Sequence, residues 1–279
     1  MTARIAIVTT VELPEPDGDE QLLLPHLQEA ELAAWDDPEV DWSRFDVAII
    51  RSTWNYTERL DEFLAWAART AEVTTLMNPL PTLLWNTDKR YLADLADRDL
   101  PVVPTTFVAP GDEWDGDLSG MVVVKPSVGA GSAGARLFRH QPSAAREHMA
   151  ALHGQGKVAM VQPYLEQVDT VGETAMVYLG GRFSHAARKA AILSKEQTNS
   201  TGLYADEEIS EYTPSEQERA LADRVVATLP PLAYARVDLL PTEDGPVILE
   251  LELAEPSLFL HTSGGAPERA AEAFRALLP

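Results

Sequence analysis

The sequence predicts a mixed α/β fold, α/β at its N-terminus and α+β beyond. Over the first eighty residues, short apolar runs alternate with stretches of helical spacing, the pattern of a parallel sheet crossed by helices. After Asn78-Pro79-Leu80-Pro81, a strong chain break, the apolar runs follow one another in hairpin succession. The chain has 279 residues, 45% hydrophobic and 24% charged, which is ordinary globular composition with enough apolar side chains for more than one core.

Taken in order, Ile5-Ala6-Ile7-Val8 is a run of buried-strand type, and residues 19–32 carry leucines and acids at helical spacing. Phe45-Asp46-Val47-Ala48-Ile49-Ile50 is a second buried strand. Leu60, Phe63, Leu64 and Ala67 mark an amphipathic helix, and residues 73–77 a closing strand. Beyond the break, a helix is expected with Asn86 or Thr87 as N-cap and Tyr91, Leu92, Leu95 and Ala96 on its apolar face, ended by Pro101 and Pro104. Further helices are expected near 143–153, 215–228 and 267–277. No internal repeat is present.

Lys and Arg number 22 against 44 Asp and Glu, a net charge of −22. Nucleic-acid phosphates and anionic membranes would repel such a chain, so small-molecule chemistry is favoured. There is no cysteine, which excludes disulfides, thiolate zinc sites and a cysteine nucleophile. No apolar run approaches the ~20 residues needed to cross a bilayer, and the N-terminus lacks the apolar segment of a secretory signal. A cytoplasmic protein is expected.

Three constellations could carry chemistry. The first is Val122-Val123-Val124-Lys125 followed by a loop with Gly129, Gly131, Ser132 and Gly134. The glycines lead into Ala135-Arg136-Leu137-Phe138, a returning strand, so this is a hairpin loop and not a dinucleotide-binding turn. A mobile Gly/Ser loop can offer backbone N–H groups to phosphates, with Lys125 beside it to neutralise charge. The second is the acidic hairpin of residues 234–240 and 247–253. Alternation puts Arg236 and Asp238 on one face of its first strand, and Glu250 and Glu252 on one face of its second. A turn at 242–245 would set Asp238 opposite Glu250 and Arg236 opposite Glu252. Three carboxylates on one face need water or a cation, and such hard oxygen ligands suit Mg²⁺. The third is the connector Gln162-Pro163-Tyr164-Leu165 with Gly172-Glu173, followed by the basic residues His185, Arg188 and Lys189. The ordinary alternatives are a flexible turn with a surface lysine for the first, a hairpin with one solvated charged face for the second, and a proline-broken connector with a solvated strand end for the third. The six histidines include no H-E-x-x-H, so a zinc hydrolase has no support. Arg51-Ser52-Thr53-Trp54 follows the Ile49-Ile50 strand end, where parallel sheets bind ligands, and Arg51 could hold a carboxylate.

Asn86-x-Asp88-Lys89, Lys125 with its glycine loop, Gln162 to Leu165, Gly172-Glu173, Arg236-x-Asp238 and Glu250-x-Glu252 occur in an order that resembles the ATP-grasp superfamily, over residues 80–279. The resemblance implies a small Rossmann-like N-terminal domain (1–80), a linker helix and central lobe with the glycine loop (81–160), and a C-terminal lobe with a metal site (161–279). It implies ATP and Mg²⁺. Lys89 and Lys125 would contact the α- and β-phosphates, Ser132 would sit in the phosphate loop, and Gln162, Pro163, Tyr164 and Leu165 would flank adenine. Glu173 would hold the ribose, Lys189 would stand near the γ-phosphate, and Arg236 would steady the transferring phosphoryl group. Asp238, Glu250 and Glu252 would bind magnesium; many family members have Asn at the position of Glu252.

Arg51-Ser52-Thr53-Trp54, Phe183-Ser184-His185-Ala186 and the run from Glu250 through Glu255-Pro256-Ser257-Leu258-Phe259 further resemble the ATP-grasp ligases that close D-cycloserine from O-ureido-D-serine. That implies a ligase of antibiotic biosynthesis acting on a small amino-acid-like substrate held by Arg51, Ser52, Thr53 and Trp54, with neither nucleic acid nor membrane as partner; a homo-oligomer is compatible with it. The alternatives are an intermolecular carboxylate–amine ligase, a nucleotide-binding regulatory module without catalysis, and a nicotinamide oxidoreductase. The last lacks any glycine fingerprint after the first strand.

Overall fold

A computed structural model describes residues 3–190 and 208–278. The chain runs β1 (Ile5–Thr9), α1 (Gly18–Leu23), β2 (Ala30–Ala34), β3 (Val47–Ile50), α2 (Leu60–Ala71), β4 (Thr75–Met77), α3 (Leu80–Asn86), α4 (Tyr91–Ala96), β5 (Thr106–Val108), β6 (Met121–Pro126), β7 (Arg136–Arg139), α5 (Pro142–Gly154) and β8 (Ala159–Pro163). It continues with α6 (Val168–Val171), β9 (Glu173–Leu179), β10 (Arg182–Lys189), β11 (Ile209–Tyr212), α7 (Glu216–Val226), β12 (Tyr234–Leu240), β13 (Val247–Glu252) and α8 (Ala266–Arg275).

The first four strands form a parallel sheet in the order β2-β1-β3-β4. Both its faces are covered, as parallel sheets require. Ile5, Ile7, Val47 and Ile49 point into a core with Leu23 of α1 and Phe274 of α8. Ala6, Val8, Ala48 and Ile50 point the other way, onto Phe63 and Trp66 of α2. The period-2 alternation of strand side chains thus assigns each residue to one of two cores.

The helix expected over 19–32 is shorter than its pattern. Asp17 caps α1 through a capping box with Glu20, but the helix stops at Leu23. A short 3-10 turn containing Pro25 follows, and residues 30–34 pair with β1 as a strand. Proline has no N–H to continue the ladder, and sheet pairing then outweighs the helical spacing beyond it. The helix expected after Asn86 also differs. Pro79 and Pro81 occupy the N-terminal turn of α3, where proline is tolerated, and Thr87 closes that helix. The following α4 begins at Tyr91 without a side-chain cap, and its Ala96 is exposed.

The other two sheets are antiparallel. One has the order β5-β8-β6-β7, packed on α5 around Val124, Phe138 and Leu152. The other has the order β11-β10-β9-β12-β13, packed on α4 and α7 around Leu92, Met176, Val237 and Leu251. The β12–β13 register pairs Arg236 with Glu252 and Asp238 with Glu250, as alternation from the 242–245 turn predicts. A bulge follows between Asp238 and Leu239.

β13 lies at the sheet edge, whose free N–H and C=O groups need partners. Side chains from the preceding segment supply them. Asn86 donates to Leu251 O at 2.8 Å and accepts from Leu253 N at 2.7 Å, Asn78 donates to Leu253 O at 2.9 Å, and Leu251 N donates to the Tyr91 hydroxyl at 2.9 Å. This polar seam fixes the 78–91 segment against the strand that carries Glu250 and Glu252. Asn86→Ala leaves a buried carbonyl and a buried N–H unpaired, and an unsatisfied buried group costs about 1–3 kcal/mol. Urea unfolding of this variant is expected to show a loss of about 2–4 kcal/mol with an unchanged m-value.

Candidate active site

The two antiparallel sheets, with α1 and the segment after β3 from the N-terminal unit, line a cavity of about 550 Å³, within the range of small-molecule and cofactor sites. Its cations come from four separate places. Lys89 stands between α3 and α4, Lys125 near the end of β6, Lys189 at the end of β10, and Arg236 within β12. Each is on the cavity wall, and each meets a carboxylate. Lys125 Nζ donates to Glu250 Oε1 at 2.6 Å, with Lys89 Nζ 4.0 Å from the same oxygen. Lys189 donates to Glu173 and lies 3.3 Å from Asp238 Oδ2. Arg236 grips Asp238 in bidentate fashion, Nε to Oδ1 at 2.8 Å and Nη2 to Oδ2 at 2.7 Å, and also donates to Glu252.

These pairings set the ionisation of the acids. Burial alone would raise Glu250, but Lys125 and Lys89 hold it well below the usual carboxylate range. Burial acts likewise on Asp238, and Arg236 and Lys189 overcome it. Glu173 is pushed up to about 8 by burial, which the adjacent Lys189 only partly offsets. Burial also raises Glu252, opposed by Arg236 and reinforced by the charges of Asp238 and Glu250.

The glycine loop forms another part of the wall. Gly129, Gly131 and Ser132 line the cavity, and Lys89 Nζ donates to Gly129 O at 2.6 Å, so the lysine and the loop are coupled. Gly131 and Ser132 both adopt positive φ, +56° and +60°. Gln162, Pro163, Tyr164 and Leu165 line the cavity beside apolar Val123 and Leu249. The Gln162 side chain is committed to Thr105 Oγ1 at 2.9 Å, and Tyr164 N donates to Met121 O. Glu173 is placed by Gly172, whose φ is +80°. A Cβ on Gly172 would come within 2.5 Å of Lys189 O, so only glycine lets β9 and β10 meet there.

Several residues singled out in the sequence stand elsewhere. Asp238 is buried behind the wall, engaged by Arg236 and Lys189, and does not face the cavity. Among the described residues no cluster of three acidic or histidine side chains is arranged to hold a metal ion by itself. Glu250 and Glu252 do face the cavity, as hard oxygen donors of the kind Mg²⁺ takes together with phosphate oxygens.

Arg51 was expected to hold a substrate carboxylate; instead it is 3% exposed and lies outside the cavity lining. Its Nη2 donates to Pro256 O at 2.7 Å, and its guanidinium lies over the Tyr234 ring. Ser52 and Thr53 are buried with it, Ser52 donating to Glu20 Oε1 at 2.5 Å. Trp54 alone of that run reaches the cavity, and its Nε1 donates to Glu255 O at 3.3 Å. The strand-end position was legible in the sequence, but the direction of each side chain depends on the loop 254–260 packing over it.

The wall beside Trp54 contains residues given no individual role in the sequence reading: Asp17, Asp19, Tyr56, Glu255 and His261. Asp19 accepts backbone N–H groups from Leu258, Phe259 and Leu260 at 2.5, 3.1 and 2.8 Å, joining α1 to the loop after β13. A carboxylate seated on three consecutive amides has no short-range sequence signature, since its partners lie some 240 residues away.

A family model described as the N-terminal domain of D-cycloserine synthetase DcsG matches residues 5–78. The chain is 38% identical over 262 residues to the cycloserine biosynthesis protein DcsG of Streptomyces lavendulae, covering 88% of this chain and 87% of that protein. The chain belongs to the DcsG family of ATP-grasp ligases. The crystal structure of D-cycloserine synthetase DcsG superposes with a TM-score of 0.87 at 36% identity, covering 99% of both chains. The D-alanine–D-alanine ligase of Bacillus anthracis, solved with ATP, shares the fold at a TM-score of 0.66 and 12% identity, over 98% of this chain and 95% of that one. The protein is therefore an ATP-binding ligase of the kind used in antibiotic biosynthesis. Among the described residues no helix is long and apolar enough to cross a membrane.

Proposed function

We propose that the protein activates the carboxylate of O-ureido-D-serine with ATP and closes it to D-cycloserine. The observation that carries this is the convergence of Lys89, Lys125, Lys189 and Arg236, with Glu250 and Glu252, on one cavity in a member of the DcsG family. We assign residues 1–80 to a substrate-side domain, and 81–160 and 161–279 to the two lobes that enclose the nucleotide.

The four cations are paired with carboxylates, and a triphosphate with its divalent cation presents the same two signs of charge. Binding would exchange these pairs, the lysines and Arg236 turning to phosphate oxygens and Glu250 and Glu252 to magnesium. Bound Mg²⁺ would supply charge neutralisation at the phosphates. Lys89 and Lys125 would hold the inner phosphates, Lys189 and Arg236 the terminal one, Gln162 to Leu165 the base, and Glu173 the ribose. Burial pushes the Glu173 carboxyl up to about 8, and in its protonated form it can donate a hydrogen bond as well as accept one.

The substrate carboxylate oxygen attacks the terminal phosphorus, ADP leaves, and an acylphosphate forms. A bare carboxylate is a poor electrophile; the acylphosphate has a good leaving group. The ureido nitrogen bonded to oxygen then attacks the same molecule's acyl carbon: the N–C bond forms and the C–O bond to phosphate breaks. Water removes the carbamoyl group as carbon dioxide and ammonia. The protein contributes positioning, charge stabilisation and exclusion of water from the acylphosphate, the last through the 128–134 loop.

With O-ureido-D-serine as sole amine, ADP, phosphate and D-cycloserine should appear in equal amounts. A rate that instead depends on an added amino acid would favour the intermolecular ligase reading.

A further inference from the structure

The acids on the cavity wall differ in what faces them. Glu173, Glu250 and Glu252 each have a cation within ion-pair distance. Glu255, 8% exposed and on the same wall, has none among the described residues. Its hydrogen-bonding neighbour is the Tyr56 hydroxyl. Two carboxylate oxygens offer roughly four acceptor sites, so one hydroxyl leaves most of them open. Asp19 is already occupied by three backbone amides, and Asp17, only half-buried, caps its helix through the Glu20 amide and keeps access to water. Glu255 therefore has the acceptor capacity to spare where the N-terminal sheet meets the loop after β13.

We propose that Glu255 receives the α-ammonium of the amino-acid substrate, with Tyr56 holding the carboxyl in place, and thereby orients the substrate carboxylate toward Lys189 and Arg236. This rests on the functional reading above only in taking an amino acid as the substrate. A buried carboxylate without a cation at ion-pair distance is costly, and an ammonium offsets that cost while placing one end of the zwitterion. The other end, a carboxylate, belongs among the cations. Burial and the nearby Glu252 charge hold the Glu255 carboxyl up at about 7, against the Tyr56 hydrogen bond and the more distant charges of Lys89 and Arg236, as expected of an acid without an adjacent cation. Trp54, bonded to the Glu255 carbonyl, keeps the backbone of this residue against the N-terminal unit.

The test is calorimetric titration of the protein, loaded with magnesium and a non-hydrolysable ATP analogue, with O-ureido-D-serine and with 3-(ureidooxy)propanoate, which lacks the ammonium. Wild type should bind the ammonium-bearing ligand about 30-fold or more tightly than the other, as expected for a buried charge-assisted pair. Glu255→Gln should bind the two ligands alike, at the affinity wild type shows for the des-amino ligand. Tyr56→Phe should keep the carboxylate and lose part of the preference. A Glu255→Gln variant that keeps the full preference overturns the proposal, as does a wild type that binds both ligands equally or neither. Thermal unfolding of both variants separates a lost fold from a lost contact. Failure of the functional reading shows separately, as ADP formation by wild type without D-cycloserine.

Discussion

Lys125→Ala is expected to lower ATP-dependent turnover by about 10³-fold or more, the scale of removing a charged group from a phosphoryl-transfer site. Lys125 sits at the end of a strand buried between β7 and β8, so its ammonium is held at a fixed place beside the glycine loop and Glu250. Removing it takes a positive charge from the cavity and leaves Glu250 with only the more distant Lys89. Glu250 should then lose the main influence that keeps it ionised against burial. The fold should persist, because Lys125 belongs to none of the apolar cores. Coupled-enzyme measurement of ADP release checks this; a rate within about tenfold of wild type would remove Lys125 from the phosphate site.

Asp19→Ala should have the largest effect on stability. It strips the carboxylate from three buried amides and removes the acid 3.7 Å from the buried Arg51 guanidinium. Arg51 Nε and Nη1 already lack hydrogen-bond partners, and the carboxyls of Asp17 and Glu20 would be left as its only partial compensation among the described residues. Removing one partner of a buried ion pair costs about 3–5 kcal/mol and the stripped amides add to it, so chemical denaturation should show a loss of at least that order. The variant should also lose more affinity for the small-molecule substrate than for ATP, since Asp19 orders the loop beside Glu255 and not the lysines.

The strands and longer helices were legible because burial imposes periodicity, and each element that followed it was read from local residues: β1, β3, α2, α5, α7 and α8. The hairpin register was legible too, because a short turn between two alternating strands leaves few pairings open. What was not legible depended on contacts between distant segments. Residues 30–34 carry acid and alanine at helical spacing and become a strand because β1 offers a pairing edge. Arg51 follows a strand end where ligands often bind, yet the 254–260 loop packs over it and takes its hydrogen bonds. Asp238 belongs to an acidic face by alternation, but Arg236 two residues away, on the same face, takes its carboxylate out of the cavity. Glu255 stood in a quoted motif without a role, since its lack of an ion-pair partner shows only once the walls are assembled.

Oxygen-18 tracing addresses the acylphosphate most directly. O-ureido-D-serine labelled in both carboxylate oxygens, turned over with unlabelled ATP, should deliver one labelled oxygen to each released phosphate and keep the other in the D-cycloserine carbonyl. Phosphate free of label would contradict activation of the substrate carboxylate at this cavity.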